Sequence, residues 1–335
     1  MRYYALLRLV QIIPVLIGVL TIAFVISHVI PGDPVRLMAG KLAGEDVWQV
    51  LRKEYGLDKP LYEQYINYIA GFFLRGDLGR SLRTRQPVLN DLVDYFPASF
   101  ELVTMSMLVS VLVAIPIGVV SATRKDKLID HGSRLFALSG VAMPAFLLAI
   151  LLQLILGYGL HLLPISGRID MALAPKPITG SYLVDTLLER DFSAFWSALQ
   201  HMLMPVMVLS FGSLSVITRM VRSSMLEVLG QDYVRTARAY GLADRMVVYG
   251  YALKNAMIPA MTHIGMSYGT LFGYTVLVET VFDYPGVGLY ITNAILYLDF
   301  PAIIGATILL SLVVVMANLA VDFVYCLLDP RIRYA

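Results

Sequence analysis

Long apolar stretches are the feature that most constrains this chain. A helix needs about 20 apolar residues to cross the hydrocarbon core of a bilayer, because lipid offers its backbone no hydrogen-bond partners. The composition agrees: 58% of the residues are hydrophobic and 15% are charged, too little charge to cover a soluble domain of this length. The sequence predicts an all-α integral membrane protein with six transmembrane helices, at residues 9–30, 101–122, 135–157, 201–218, 257–281 and 302–325.

The first stretch differs from a cleavable secretory signal. Its apolar run from Leu9 to Ile30 is too long for a typical signal core, and no small-x-small cleavage site closes it. We therefore expect residues 1–30 to form a cytoplasmic N-terminus and a retained first span.

The distribution of lysine and arginine predicts the orientation. These residues are enriched in short cytoplasmic loops. The short segments 158–200 and 282–301 carry only Arg168, Lys176 and Arg190. Fourteen of the 26 basic residues fall on the other side, at Arg2, Arg8, Arg124, Lys125, Lys127, Arg134, Arg219, Arg222, Arg235, Arg238, Arg245, Lys254, Arg331 and Arg333. Both termini, including the tail 326–335, are therefore expected in the cytoplasm.

Residues 31–100 form a long segment on the outer side. Aromatic-rich pieces such as YEQYINYIAGFFL alternate with prolines, which favours short helices packed into a small periplasmic cap. The alternative is a solvated loop with one amphipathic helix. The helix-breaking prolines of this segment are Pro31, Pro34, Pro60, Pro87 and Pro97. The remaining spans, within 101–325, would form the core of the membrane domain.

A polar segment, residues 219–256, interrupts the apolar spans on the cytoplasmic side. Its apolar residues recur at helical spacing and predict one continuous stripe. Ser224 and Glu227 have the spacing of a capping box. The stripe consists of Met225, Leu229, Tyr233, Ala237 and Tyr240.

Gly241 divides this segment. Glycine readily adopts the left-handed conformation that ends a helix, and Asp244 could cap the helix that follows. The small residues around Gly241 would let another backbone approach closely, and Arg235 and Arg238 could reach carboxylates on a partner. The segment is therefore predicted to be a helix, a turn and a second helix that form a docking element. A solvated loop of the positive-inside kind is the alternative.

Several phrases of the sequence are similar to one family of membrane proteins. They include VIPGDP (29–34), YGLDKP (55–60), GDLGRS (76–81), DHGSRLFAL (130–138), MPAF (143–146), LPISGR (163–168), MVRSSMLEVLG (220–230), EVLGQDYVRTARAYGL (227–242), YALKNAMIP (251–259), YPGVG (284–288) and DPRIRY (329–334). Together they resemble the dipeptide/oligopeptide/nickel permease family of ABC importers. The chain is most similar to the first of the two permease subunits of a dipeptide importer.

The resemblance implies a type I ABC importer permease fold in the bacterial inner membrane. It also implies that the polar segment couples to an ATPase subunit. The coupling residues would be Arg235, Thr236, Ala237, Arg238, Ala239, Gly241, Leu242 and Arg245. The chain departs from the family pattern at three positions: Tyr240 replaces a lysine, Tyr251 replaces a histidine, and Arg235 stands where an acidic residue begins the wider motif.

The resemblance further implies the partners and the cargo. The chain would join a second permease subunit, two ATPase subunits and a periplasmic substrate-binding protein to import dipeptides or short oligopeptides. Glutathione, nickel complexes and oligosaccharides are alternative cargoes within the family. Two other classes stay open: an ATP-independent secondary carrier or channel, and a scaffold that only anchors a cytoplasmic partner.

The chemistry that the sequence lacks points the same way. No G-x-x-x-x-G-K-[ST] phosphate cradle, HExxH or G-x-S-x-G motif is present, so we expect no enzyme activity, no metal site and no cofactor in this chain. ATP and Mg would be bound by the partner ATPases. The net charge of +2 gives no reason to expect a nucleic-acid partner. Ionisable groups fall near span ends rather than mid-bilayer, which argues against a proton-driven carrier.

Two further sets of residues lie within the spans. Gly265, Gly269 and Gly273 are four apart on one face and predict a ridge for close helix packing, although they could be helix filler. Asn318, Gln153 and Ser267 are polar residues within spans. They are candidates for lining the translocation path, or for bonding a neighbouring helix.

Overall fold

The fold was analysed in a computed structural model that describes residues 13–14, 16–22, 24–25, 44–54 and 58–328. Within these residues every named element is a helix, and the only β-type pairing is a single bridge between Arg80 and Pro87. The described residues of 13–25 are also helical. The helices are α1 Glu45–Glu54, α2 Leu61–Arg75, α3 Val88–Thr123, α4 Leu128–Ala142, α5 Ala145–Leu152, α6 Tyr182–Leu188, α7 Phe192–Leu229, α8 Asp232–Ala239, α9 Asp244–Met246, α10 Leu253–Phe282, α11 Val287–Leu296 and α12 Phe300–Leu328. The π-helical turns Gln153–Gly159 and Val247–Ala252 extend α5 and join α9 to α10.

Three of the described helices are long and apolar enough to cross a membrane. They are α3, α7 and α12, which contain the second, fourth and sixth predicted spans. The pair α4 and α5 is a fourth candidate if it counts as one span. The all-α membrane architecture predicted from the sequence is therefore confirmed. Half of the first predicted span, 9–30, and the tail from 329 lie outside the described residues.

The third predicted span, 135–157, is not a single straight helix. The helix breaks at Met143 and Pro144, and the two pieces are bent by 104°. Proline disfavours helical geometry in the residue before it, and Met143 accordingly has an extended backbone with φ −86° and ψ 119°. The third apolar stretch is a broken helix rather than a rod.

The fifth predicted span, 257–281, lies inside α10. This helix has 30 residues, which is long enough to cross a bilayer. Its glycine, threonine and tyrosine residues lower its hydropathy, so it is not among the three apolar helices. The total of six spans stays a prediction.

The boundary between the outer segment and the second span also differs from the prediction. Helices α2 and α3 begin directly after Pro60 and Pro87, as helix-breaking prolines predict. Because α3 starts at Val88, Pro97 lies inside it, so the prediction of a break at Pro97 is wrong. The ring of Pro97 instead supports a neighbouring loop: a Cβ added at Gly180 would lie 2.8 Å from it.

Short helices do occupy the described part of the outer segment. The helix α2 packs on the first span, where the Tyr65 hydroxyl lies 2.6 Å from the Thr21 hydroxyl and the Phe24 and Tyr65 rings are 5.3 Å apart. One buried cluster joins these elements to α11 and the start of α12. A larger cluster fills the space between α3, α7 and α10.

Candidate coupling site

The segment predicted to dock a partner lies at the end of the longest described helix. The helix α7 has 38 residues and is about 57 Å long, well beyond the thickness of a hydrocarbon core of about 30 Å. The chain turns at Gly230 and Gln231 and continues into α8. Ser224 and Glu227 lie inside α7, so the predicted capping box is wrong.

The turn at Gly230 also breaks the predicted apolar stripe. Because α8 starts anew after it, the buried face of α8 is formed by Val234 and Ala237, which pack on Val247 in a small separate core. Tyr233 and Tyr240, which the stripe would have buried, are 41% and 83% exposed. A single stripe from Met225 to Tyr240 is therefore wrong.

The turn after α8 has the predicted conformation. Gly241 is left-handed with φ +77°, and the Leu242 amide donates to the Ala237 carbonyl at 3.3 Å. A Cβ added at Gly241 would meet nothing within 4 Å, so the requirement for glycine there is conformational. Asp244 makes no cap: it lies in the first turn of α9, and its carboxylate is 3.4 Å from the Arg238 guanidinium. The capping prediction for Asp244 is wrong.

The predicted coupling residues face solvent, with one clear exception. Leu242 is half-buried, and Ala237 is only 7% exposed because it belongs to the small core. Ala237 therefore supports the element from inside, and its role as a contact residue stays a prediction. The exposed members are Arg235, Thr236, Arg238, Ala239, Gly241 and Arg245.

The exposed face combines cations with aromatic rings. The Arg235 guanidinium lies 3.5 Å from Asp232 and remains 72% exposed. Exposed pairs of this kind contribute little to stability, about 0–1 kcal/mol, so the guanidinium can exchange this partner for a carboxylate of another protein. Tyr233 anchors the element to α10, because its hydroxyl accepts a hydrogen bond from the Asn255 amide at 2.7 Å.

A buried carboxylate joins three helices next to this element. Asp130, at the start of α4, is fully buried. Arg222 on α7 donates to both of its oxygens, from Nε at 2.6 Å and from Nη2 at 2.8 Å. Ser121 on α3 donates at 2.6 Å and the Asp126 amide at 3.0 Å. We call Asp130, Arg222 and Ser121 the inner node.

A second buried carboxylate joins helices at the other end of α3. Glu279 on α10 accepts hydrogen bonds from Ser99 on α3 at 2.6 Å and from the Gly288 and Leu289 amides at 2.6 and 3.2 Å. The Val287 amide donates to the Ser99 hydroxyl at 2.7 Å. The carboxylate thus binds the N-terminus of α11, where a helix favours negative charge. We call Glu279, Ser99 and the first turn of α11 the outer node.

The loop between α5 and α6 lies beside the outer node and forms an ion pair with α3. Arg168 and Glu101 are both buried and 2.6 Å apart, and the guanidinium stacks 3.8 Å above the Tyr182 ring. Burial raises the pKa of the Asp185 carboxyl, but hydrogen bonds from Thr179 and its neighbours outweigh burial and hold the pKa below its ordinary value. This loop therefore has a fixed conformation.

The glycine ridge serves different purposes along its length. Gly265 and Gly269 are buried, and a Cβ at Gly269 would lie 3.4 Å from Val314 on α12. Gly273 is exposed, with nothing within 4 Å of an added Cβ. At Gly269 the ridge faces a helix of the same bundle.

The three candidates for the translocation path do not lie together. The Gln153 amide donates to the Ile165 and Val281 carbonyls at 2.8 and 3.0 Å, so it bonds the neighbouring backbone. Ser267 is half-buried on α10, and Asn318 is exposed on α12. Gln153 therefore fits the second of the two alternatives from the sequence, a hydrogen bond to neighbouring elements rather than lining of the path.

The sequence analysis did not predict the contacts that form the two nodes. Asp130 and Arg222 lie within phrases that resemble the permease family, but 92 residues separate them, and no local pattern joins them. A signal was available: a charged residue among apolar ones is costly and needs a partner. It identifies Glu279, which lies in the apolar run TVLVETVF, without naming its partners; Asp130 lies in the charged segment RKDKLIDHGSR and gives no such signal.

These features define a helical integral membrane protein with a polar segment, α8 and the turn after it, at the end of its longest described helix. A solved structure has a similar fold. A chain of the MetNI methionine ABC transporter, solved in inward-facing conformations, superimposes with a TM-score of 0.53 at 17% identity. The match covers 72% of this chain and 97% of that one. At this identity the likeness shows the fold alone, a type I importer permease fold.

The family is shown by sequence. The model of the binding-protein-dependent transport system inner membrane component matches residues 114–334, and the model of the N-terminal part of such membrane components matches residues 1–103. The chain belongs to this family of permeases, which are transport subunits rather than enzymes, and is a multi-pass inner-membrane protein.

Curated relatives cover nearly the whole chain. A probable D,D-dipeptide transport system permease protein of Escherichia coli (strain K12) is 45% identical over 95% of this chain and 94% of its own. The dipeptide transport system permease protein of the same strain is 41% identical over 100% and 99%. A glutathione transport system permease protein of Salmonella choleraesuis (strain SC-B67) is 35% identical over 100% of both.

Proposed function

We propose that this chain is one of two permease subunits of an ATP-driven importer, and that α8 and the turn after it transmit the work of an ATPase subunit to the membrane helices. One observation carries the proposal. A compact element with its own core, an exposed basic face and a left-handed glycine turn projects from the end of a 38-residue helix. Movement of that element must move α7.

The partners follow from what this chain does not carry. It has no phosphate cradle, so ATP and Mg would be bound by two ATPase subunits on the cytoplasmic side. A second permease would complete the translocation path, and a periplasmic binding protein would deliver the cargo. We call α8 and the turn after it the coupling element. Both termini and the coupling element would lie in the cytoplasm, as the distribution of basic residues predicts.

Dipeptides or short oligopeptides are the proposed cargo. The relatives described above at 45% and 41% identity are named for dipeptide transport, and the glutathione permease is at 35%. ATP closure of the ATPase dimer would push the coupling element, and the bundle would switch between inward-facing and outward-facing states by rigid-body movement.

The test uses proteoliposomes that hold the complex copurified with this chain. ATP hydrolysis and uptake are measured with the binding protein empty, loaded with a dipeptide, or loaded with glutathione. Stimulation by the dipeptide form is the expected result. An absence of ATPase from the complex, with solute moved down an ion gradient by the chain alone, would refute the proposal.

A matched pair of variants tests the coupling turn. Gly241→Asp adds a carboxylate beside the basic face, so we expect uptake to fall to background with normal membrane insertion. Gly241→Asn has the same shape without the charge, and both residues tolerate the left-handed conformation, so it should keep most of the uptake. Equal activity of Gly241→Asp and wild type would contradict the assignment.

A further inference from the structure

The inner node joins two consecutive helices, α3 and α4, to α7, whose Arg222 is 92 residues from Asp130. Its carboxylate is fully buried, and the two oxygens receive both prongs of one guanidinium. Two parallel N–H···O bonds fix direction as well as distance. The Ser121 hydroxyl binds the carboxylate from α3 and accepts a hydrogen bond from Ser133 on α4 at 2.7 Å. The node therefore sets the angle between the helices, and not merely their proximity.

Close packing on both sides of the node leaves little room for sliding. A Cβ added at Gly118 on α3 would lie 2.8 Å from the Val221 side chain on α7. A Cβ added at Gly140 on α4 would lie 2.8 Å from the Cβ of Ser215 on α7. Because the backbones of α3 and α4 approach α7 this closely at Gly118 and Gly140, neither helix can shift along α7 without losing packing contacts.

The node is also directly in line with the coupling element. Arg222 lies two turns before the end of α7 at Leu229, and α8 begins at Asp232. The helix is unbroken from Arg222 to Leu229, so the part of a displacement of α8 that passes into α7 reaches the guanidinium before it reaches the rest of that helix.

We infer that Asp130 is a positioning residue for transport: it holds α3, α4 and α7 as one rigid body, so that movement of the coupling element turns all three helices together. This inference rests on the coupling role proposed above. Without the node, packing alone would hold the three helices, so α7 could change its angle to α3 and α4, and ATP would be hydrolysed with less cargo moved. In some proteins a buried polar or ionic group fixes one arrangement among several of similar energy, and here the pair would fix the arrangement of the helices that move.

The experiment measures cargo moved per ATP in the reconstituted complex with a radiolabelled dipeptide and its binding protein. For Asp130→Asn we expect unchanged basal ATP hydrolysis and about a tenfold lower uptake per ATP, within the usual range of coupling between sites. A role in folding alone would lower assembly and would not change uptake per ATP.

Asp126→Asn is the control for a local change of charge. The Asp126 side chain is 68% exposed and only 3.7 Å from Arg134, and asparagine suits its left-handed backbone at φ +61°. It should match wild type. If Asp130→Asn does not assemble, Arg222→Lys replaces it, since lysine keeps the charge and loses the two-pronged geometry.

Wild-type uptake per ATP in Asp130→Asn, or in Arg222→Lys where that variant replaces it, would overturn the inference. The proposed function fails separately, through a wild-type complex that does not respond to loaded binding protein or through an active Gly241→Asp variant. An active wild type, an inactive Gly241→Asp and a fully coupled Asp130→Asn would leave the importer assignment intact and remove only the role of the node.

Discussion

The inner and outer nodes each stabilise a buried carboxylate, but with different hydrogen-bond donors. Each buries a carboxylate that a serine of α3 binds, and Ser99 and Ser121 are 22 positions apart, about 33 Å along the helix, close to the thickness of a bilayer core. Asp130 is neutralised by Arg222, whereas the hydrogen bonds of Glu279 come from the Ser99 hydroxyl and the helix amides of Gly288 and Leu289.

The difference shows what each node resists. A guanidinium on a long side chain connects helices that are distant in sequence and holds them at a fixed angle. A helix N-terminus gives no full charge, but its amides are rigid and cannot swing away. We expect the inner node to resist movement between helices and the outer node to seat one short helix, α11.

The largest effect on stability should come from Arg222→Met. It leaves Asp130 buried without its cation, and removal of one partner of a buried pair typically costs about 3–5 kcal/mol. The control is Arg134→Met: Arg134 is 42% exposed and 3.3 Å from the same carboxylate, so its loss should cost less than about 1 kcal/mol. Thermal unfolding in detergent compares the two. Equal effects would mean that Arg222 is not the principal counter-charge.

Gly288→Ala should have the next largest effect, at the outer node. A Cβ there would lie 2.5 Å from the Val276 Cα and 2.9 Å from the Glu279 carboxylate, and backbone cannot move aside. Overpacking of this kind costs about 1–3 kcal/mol. Protease protection of the loop between α10 and α11 should fall in parallel with the melting temperature. An unchanged melting temperature would show that α11 is not seated against α10.

Glu279→Gln sharpens the comparison of the two nodes. The amide oxygen can keep one of the bonds from Ser99 or α11, but its NH2 group meets a donor, so we expect a loss of about 1–2 kcal/mol. No cation is abandoned, so the loss should be smaller than for Arg222→Met. Melting temperatures of the two variants in one detergent provide the comparison, and the reverse order would refute the distinction drawn here.

Gly273→Ala should have the smallest effect. The position is exposed, and a Cβ would meet nothing within 4 Å, so a change within about 0.5 kcal/mol is expected. Gly269→Ala, whose Cβ would touch Val314 at 3.4 Å, is the buried comparison on the same face. A large loss at Gly273 would indicate that a partner subunit covers this end of the ridge.

Local signals in the sequence were reliable where the chain decides its conformation locally. Pro60, Pro87 and Gly241 act through their own backbone geometry, and the helix starts and the turn lie at the residues that they predict. Pro144 carried the same kind of signal for the 104° break, but the apolar run around it concealed it.

Features that depend on distant contacts were not predictable in this way. Ala237 faces inward because the turn at Gly230 resets the helix phase and brings α8 against Val247. Pro97 lies inside α3 instead of ending a helix, and its ring packs against the distant loop at Gly180. The pairing of Asp130 with Arg222 arises only when α4 packs on α7, so composition and periodicity cannot reveal it.

The separate core of the coupling element has a consequence for how such subunits diversify. Val234, Ala237 and Val247 form a core that shares only the half-buried Val228 and Leu229 with the largest cluster, so the exposed outer residues can be exchanged without repacking any membrane helix. With the proposed coupling role, substitution of Arg235, Tyr240 or their neighbours would change which ATPase the permease accepts and leave the membrane helices as they are.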